Sequence, residues 1–212
     1  MIRNYKHVIW DWNGTLLNDV DLCISIINGI LARRDLKVLS PADYKEIFTF
    51  PVKDYYTSAG LDFTIDTFET LGTEWMDEYE KRRSESCLYD GVNEVLSYIT
   101  EHRIEQSVLS AYMQNTLEEI IKIMGLSNYF THISGLNHIY AHGKIETGKD
   151  LINKIGLEKS EVVLIGDTIH DFEVAQAIGA ECILVASGHQ SKERLLTCGV
   201  PVIESIMELK KN

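Results

Sequence analysis

Three carboxylates stand where short apolar runs end, and their placement suggests metal-assisted chemistry. Asp11 follows His7-Val8-Ile9-Trp10, Asp167 follows Val162-Val163-Leu164-Ile165-Gly166, and Asp171 comes four residues later. Ser110 ends a third run, Glu105-Gln106-Ser107-Val108-Leu109. Runs rich in β-branched and aromatic residues read as buried strands, and in an open parallel sheet ligands bind beyond the carboxyl ends of the strands. Carboxylates gathered there repel one another unless a cation sits between them. An oxygen-only donor set without clustered His or Cys suits Mg²⁺ better than zinc. Each residue alone has a plainer reading. Asp11 could simply open an Asn13-Gly14 turn, and Asp171 could be a first-turn acid favoured by the helix dipole. Taken together, they favour metal binding.

The elements that must position these residues alternate from Asp90-Gly91 onward. Helices are expected over Val92 to His102, Gln114 to Met124, Glu146 to Ile155 and Asp171 to Ile178. Strands are expected over Glu105 to Ser110, His132 to Ser134, Glu161 to Asp167 and Cys182 to Ala186. Val200 to Ile203 reads as an edge strand, because Pro201 cannot donate to a ladder. A terminal helix runs towards Lys210-Lys211. Repeated strand–helix units imply a doubly wound parallel sheet, a Rossmann-like α/β core.

Between the first strand and this alternation, the periodicity is helical and shows no convincing strand. Val20, Cys23, Ile24, Ile27 and Ile30-Leu31 form one stripe, capped near Asn18. Ser40-Pro41 starts a second helix, Pro51 interrupts the pattern and Gly60 closes a third helix. Ile65, Phe68, Leu71, Trp75, Met76 and Tyr79 form another stripe. The expected organisation is a core of residues 1–17 and 88–212 with a helical cap of residues 18–87, hinged near Leu17-Asn18 and Ser86 to Tyr89. Phe50-Pro51 and Tyr55-Tyr56 could line the inner face of this cap, with core packing the default.

Composition narrows the partners. A chain of 212 residues with 45% apolar content can bury a real core, and its net charge of −12 argues against nucleic acid or an anionic membrane as partner. No apolar run approaches the roughly 20 residues a bilayer-spanning helix needs, and no signal-peptide segment precedes the first strand. Cys23, Cys87, Cys182 and Cys198 are scattered without paired spacing, which fits a reducing cytoplasm. The net charge does not forbid an anionic small substrate, because a metal ion and one or two Lys can dominate the local field.

With these motifs in order, the chain resembles the haloacid dehalogenase-like hydrolases, specifically the phosphoglycolate-phosphatase-like branch with a helical cap. The resemblance rests on Asp11-Trp12-Asn13-Gly14-Thr15-Leu16, on Ser110, on a following Lys, and on Gly166-Asp167-Thr168-Ile169-His170-Asp171. It implies a Mg²⁺-dependent phosphatase, a monomer or homodimer acting on a small phosphorylated metabolite of the phosphoglycolate kind, with Asp11 as the nucleophile that becomes an aspartyl-phosphate. Asp11, Asp167 and the backbone carbonyl of Asn13 would hold the metal, with Asp171 a ligand directly or through water. Gly14, Thr15, Ser110 and Ala111 would bind phosphate oxygens. A Lys would neutralise transition-state charge, and Lys144 in the loop before a helix fits better than Lys149 inside it.

One position departs from the family pattern. The residue two beyond the nucleophile is usually an Asp that protonates the leaving group and later activates water, and here it is Asn13. An amide cannot exchange a proton at neutral pH, and general acid–base help is typically worth roughly 10²–10⁴-fold. Leaving groups that need no proton, such as acyl or activated aryl phosphates, would suffer least. The alternatives are a surrogate acid such as His170 or a cap residue, a non-catalytic protein that binds a phosphorylated metabolite, and trace activity from deamidation at Asn13-Gly14. Carbon–halogen cleavage is disfavoured, because it needs no metal-type pair like Asp167 and Asp171. His189 could edge the site or belong to a surface loop. His132, His138 and His142 are too irregularly spaced for a metal centre.

Overall fold

The structure, a computed structural model, describes residues 2–136 and 143–211. Its strands are β1 (His7–Trp10), β2 (Leu17–Asn18), β3 (Cys87–Leu88), β4 (Glu105–Met113), β5 (His132–Leu136), β6 (Val162–Gly166), β7 (Glu181–Val185) and β8 (Val202–Ile203). Its helices are α1 (Val20–Ala32), α2 (Pro41–Ile47), α3 (Val52–Ser58), α4 (Phe68–Arg82), α5 (Val92–Glu101), α6 (Gln114–Ile123), α7 (Lys144–Ile155), α8 (Ile169–Ile178) and α9 (Lys192–Leu196). Six strands pair in parallel in the order β5-β4-β1-β6-β7-β8. The chain fills one side of β1 with β4 and β5, then crosses to the other side with β6 to β8. Asp11 therefore leaves β1 where the strand order reverses, the usual place for a ligand crevice in such sheets.

Helices on both faces explain the apolar strands. Val8 and Trp10 join one core cluster while Ile9 joins the other, and Val163 and Ile165 separate from Leu164 in the same way. With both faces buried, the period-two alternation disappears from the sequence while persisting in space. The first cluster continues into α1 and α4, whose Ile27, Ile30, Leu71 and Tyr79 are buried.

Several expected boundaries move. Leu17 and Asn18 pair antiparallel with Leu88 and Cys87, so a two-stranded ribbon stands at both ends of the helical segment where no strand was expected. Ribbons this short leave little apolar periodicity to read. The cap of α1 is Asp19 rather than Asn18. Ser110 does not end its strand, because β4 continues through a register shift between Leu109 and Met113. Lys144 is the first residue of α7 rather than a loop residue. The last helical stretch, Ile206–Lys210, is 3₁₀, α9 was not anticipated, and Ile65 is 81% exposed instead of buried in a stripe. Among the described residues, no helix is long and apolar enough to cross a membrane.

Candidate active site

The β1 and β6 ladders fix the carboxylates. Trp10 is in register with Val108 of β4 and Ile165 of β6, and the Asp11 amide donates to the Ile165 carbonyl at 2.8 Å. Asp11 and Asp167 thus emerge from adjacent strands. Asp171 reaches them from the first turn of α8, where it forms a capping box with Thr168. Its Oδ2 accepts from the Thr168 hydroxyl at 2.7 Å and from the Thr168 and Asp167 amides at 3.0 and 3.2 Å. The helix-cap reading and the cluster reading of Asp171 are therefore both realised. One oxygen each from Asp11, Asp167 and Asp171 lie within 4.8 Å of one another, and all three residues are buried.

One cation answers this charge. The Lys144 ammonium, only 4% exposed, is ion-paired to Asp11 Oδ1 and lies 2.5 Å from Asp171 Oδ1. Lys149 instead pairs with Glu146 at the surface at 2.7 Å, which separates the two candidate lysines. Burial pushes the Asp11 carboxyl well above its ordinary range; Lys144 opposes this, while Asp171 and Asp167 reinforce it. Burial also raises Asp167, against the pull of His189. For Asp171, burial is outweighed by Lys144 and the Thr168 hydroxyl, so its pKa is lowered. Thr15 stands between the strand ends, its hydroxyl 2.9 Å from Asp167 Oδ1 and 3.3 Å from Asp11 Oδ2.

A second buried cluster surrounds Asn13. Its amide nitrogen donates to Asp19 Oδ2 at 2.8 Å and to the Tyr79 hydroxyl at 2.7 Å, and Tyr79 in turn donates to Asp19 at 2.8 Å. The Gly14 amide donates to Asp19 Oδ1 at 3.0 Å. These demands explain why Asp19, although at the α1 N-cap, does not cap it through its side chain. His189 Nε2 lies 3.3 Å from Asp19 Oδ1, and its Nδ1 lies 2.9 Å from the Tyr44 hydroxyl. Burial opposes charge on both partners, yet their attraction prevails: Asp19 is lowered and His189 raised. Because Asp19 only accepts, the Asn13 amide must turn its NH₂ towards it. Asn13 Oδ1 is therefore directed away from Asp19.

The two clusters touch through His189, whose amide donates to Asp167 Oδ2 at 2.7 Å. Gly14 permits this approach: it has φ +76°, and a Cβ there would collide with the Asp167 carboxylate and the His189 ring. Its amide is committed to Asp19 and to the Leu17 carbonyl, so Gly14 contributes to the site chiefly by shape.

A cavity of about 420 Å³ opens beside both clusters. Asp11, Asn13, Ser110, Ala111, Lys144 and Asp171 line it together with residues of α2 to α4. Ser110 is 2% exposed, and its Oγ accepts from the Tyr112 amide at 3.1 Å. Phe50, Tyr55 and Tyr56 both line the cavity and contact aromatic neighbours, so the two readings of these residues coincide. His170 lines it too, 3.2 Å from Glu173 and with its ring 4.8 Å from that of Phe50. Asp19, Tyr44 and Tyr79 were not singled out from sequence as site residues, since nothing in their local spacing marks a contact across sixty or more positions. His132 sits at the start of β5, while His138 and His142 lie outside the described residues.

The family described as haloacid dehalogenase-like hydrolase matches residues 8–185. A phosphoglycolate phosphatase of Caulobacter vibrioides is 24% identical over 217 residues, covering 98% of this chain and 90% of the relative. An N-acetylmuramic acid 6-phosphate phosphatase of Pseudomonas putida is 23% identical over 188 residues, covering 87% and 84%. A haloacid dehalogenase-like family protein of Streptococcus pneumoniae superposes with a TM-score of 0.82 at 15% identity, over 97% of each chain.

Proposed function

The chain belongs to the haloacid dehalogenase-like hydrolases, and from that premise we propose that it is a Mg²⁺-dependent phosphatase. It hydrolyses a small phosphomonoester through an aspartyl-phosphate on Asp11. The observation that carries this reading is the buried cluster of Asp11, Asp167 and Asp171, with one ammonium paired to Asp11 and Asp171, beside a cavity large enough for a small molecule. Two carboxyls pushed upward by burial and mutual repulsion form a site short of positive charge. An all-oxygen donor set of this kind suits a hard divalent ion. Asp11, Asp167 and the Asn13 carbonyl would hold Mg²⁺, with Asp171 contributing directly or through water. When bound, the ion would screen the repulsion between the nucleophile and the incoming phosphate.

The protein's own groups do the rest. Asp11 attacks phosphorus, and Lys144 neutralises charge on the phosphoryl oxygens. The Thr15 hydroxyl holds the Asp11 and Asp167 carboxylates in register. The Ser110 oxygen accepts from Tyr112, so its own proton is free to donate to a phosphoryl oxygen. Ala111 edges the same pocket. Asn13, with its NH₂ committed to Asp19 and Tyr79, can offer only a carbonyl oxygen, which can orient an attacking water by accepting from it. It cannot protonate the departing group. The four free thiols suit a reducing cytoplasm.

The test measures phosphate release from acetyl phosphate and simple esters, with Mg²⁺ or chelator, by wild type, Asp11→Asn and Asn13→Asp. Mass spectrometry must first establish that Asn13 is intact. Mg²⁺-dependent release that disappears in Asp11→Asn is expected. The amide at position 13 favours one competing reading, a non-catalytic phosphate binder; Mg²⁺-dependent binding of phosphate without release from any compound would establish it instead.

A further inference from the structure

Resting on the phosphatase reading above, we propose that the substrate is an aryl phosphate, whose phenolate leaving group is received by the aromatic wall of the cavity. Two independent observations meet here. The first is the wall itself: Phe48, Phe50, Tyr55, Phe68, Trp75 and Tyr79 line the cavity together with Ser110 and Lys144. No Arg or Lys of α2 to α4 is among the described lining residues, and Lys144 is already engaged by Asp11 and Asp171. The two imidazoles on the wall are engaged as well, His189 with Asp19 and Tyr44 and His170 with Glu173. A leaving group carrying a carboxylate would find no unengaged cation among the described lining residues, whereas a ring would find offset and edge-on aromatic partners.

The second observation is chemical. The amide of Asn13 is tied to Asp19 and Tyr79, and it has no proton to give at neutral pH. A phenolate, with a conjugate acid of pKa near 10, departs without such help. An alkoxide, whose conjugate acid is a far weaker acid, does not. In the first step an Asp11 oxygen forms the bond to phosphorus, and the aryl oxygen leaves with the bonding pair as phenolate. In the second, water attacks phosphorus and the Asp11–phosphorus bond breaks, regenerating the carboxylate. One proton of that water ends on the phenolate and the other stays with the inorganic phosphate.

The experiment compares four compounds with Mg²⁺: phenyl phosphate, 2-phenylethyl phosphate, acetyl phosphate and phosphoglycolate. They separate ring binding from leaving-group acidity. Phenyl phosphate is expected to exceed phosphoglycolate in kcat/KM by about 10²-fold or more, the scale of a missing general acid. 2-Phenylethyl phosphate should match phenyl phosphate in KM and fall behind it in kcat. Acetyl phosphate should turn over with a much higher KM. A smaller advantage over phosphoglycolate, or equal kcat for the two ring compounds, overturns the proposal; equal kcat would assign the proton to a surrogate such as His170. If none of the four is hydrolysed, acetyl phosphate included, the phosphatase reading itself fails.

A variant reads the wall without touching the reacting groups. Gly72 of α4 lines the cavity, and a Cβ there meets nothing within 4 Å. Gly72→Arg is expected to lower the KM for phosphoglycolate and raise that for phenyl phosphate. Binding of phenylphosphonate over methylphosphonate to Asp11→Asn, measured calorimetrically, should favour the ring by about tenfold, a difference of about 1.4 kcal/mol. No change in either KM, or no preference for the ring, contradicts the assignment.

Discussion

Two buried polar clusters share the carboxyl edge of the sheet, and they handle charge in opposite ways. Around Asp11, three carboxylates gather and the Lys144 ammonium pairs with two of them, and burial with repulsion among them lifts the pKa of Asp11 and Asp167. Around Asn13, one carboxylate, Asp19, is matched by His189 and receives donors from Asn13, Gly14 and Tyr79. Its pKa falls despite complete burial. The first cluster is unbalanced and depends on a ligand, while the second is closed on itself. Buried charge that lacks internal compensation marks function; buried charge that has it marks structure.

If that contrast is right, substitutions in the two clusters should separate activity from stability. The largest effect is on turnover: Asp11→Asn should lower kcat/KM by about 10⁴-fold or more while the cooperative unfolding transition persists. Asp19→Ala should do the reverse. It strands His189, Tyr79 and Asn13 in the interior, and chemical denaturation should show a loss of about 3–5 kcal/mol. Comparable stability losses in both variants would erase the distinction.

Metal and double-substitution measurements sharpen it. Mg²⁺ at about a hundred times its Kd should stabilise wild type by about 2.7 kcal/mol in thermal or denaturant unfolding, and Asp167→Asn far less. Asn13→Asp would bring a carboxylate against Asp19 at the position where an amide now donates at 2.8 Å. It should be destabilising alone and relieved by Asp19→Asn, with a coupling energy of about 1–2 kcal/mol in a double-mutant cycle. Absence of coupling would mean that Asn13 is not held by Asp19.

The effect that least separates the two clusters is a background that any acid titration must subtract. His7, at the other end of β1, is lowered to about 4 by burial, with Glu105 opposing and His132 reinforcing the shift. The unfolded chain therefore binds more protons than the native one below the ordinary histidine pKa of about 6.5. Stability should fall as pH drops from about 6.5 towards 4, by about 2 kcal/mol after allowance for solvent. Replacing His7 with Gln should flatten that limb in wild type and in Asp19→Asn alike.

The unbalanced cluster was legible in the sequence because each member ends or follows an apolar run. Asp11, Asp167 and Asp171 carry their position in the fold with them, and so does the strand–helix alternation that builds the sheet. The closed cluster was not. Asp19 and Tyr79 are sixty positions apart, and Tyr79 read as one more apolar residue of a helical stripe. His189 gave no sign that a glycine at position 14 would leave room for its ring. Strand ends failed for a related reason: the β4 extension past Ser110 and the β2–β3 ribbon depend on pairing partners rather than on local composition. The aromatic stripes were visible as hydrophobic periodicity, but which of their faces lines the cavity is a property of packing.

The central claim is that Asp11 becomes covalently phosphorylated. The direct measurement mixes intact protein, Mg²⁺ and phenyl or acetyl phosphate, quenches in acid on the timescale of one turnover, and maps the modified peptide by mass spectrometry. The account predicts one added phosphoryl group on the peptide carrying Asp11, absent in Asp11→Asn. Multiple turnover with that peptide unmodified at every quench time, or a phosphoryl group on another residue, would contradict it.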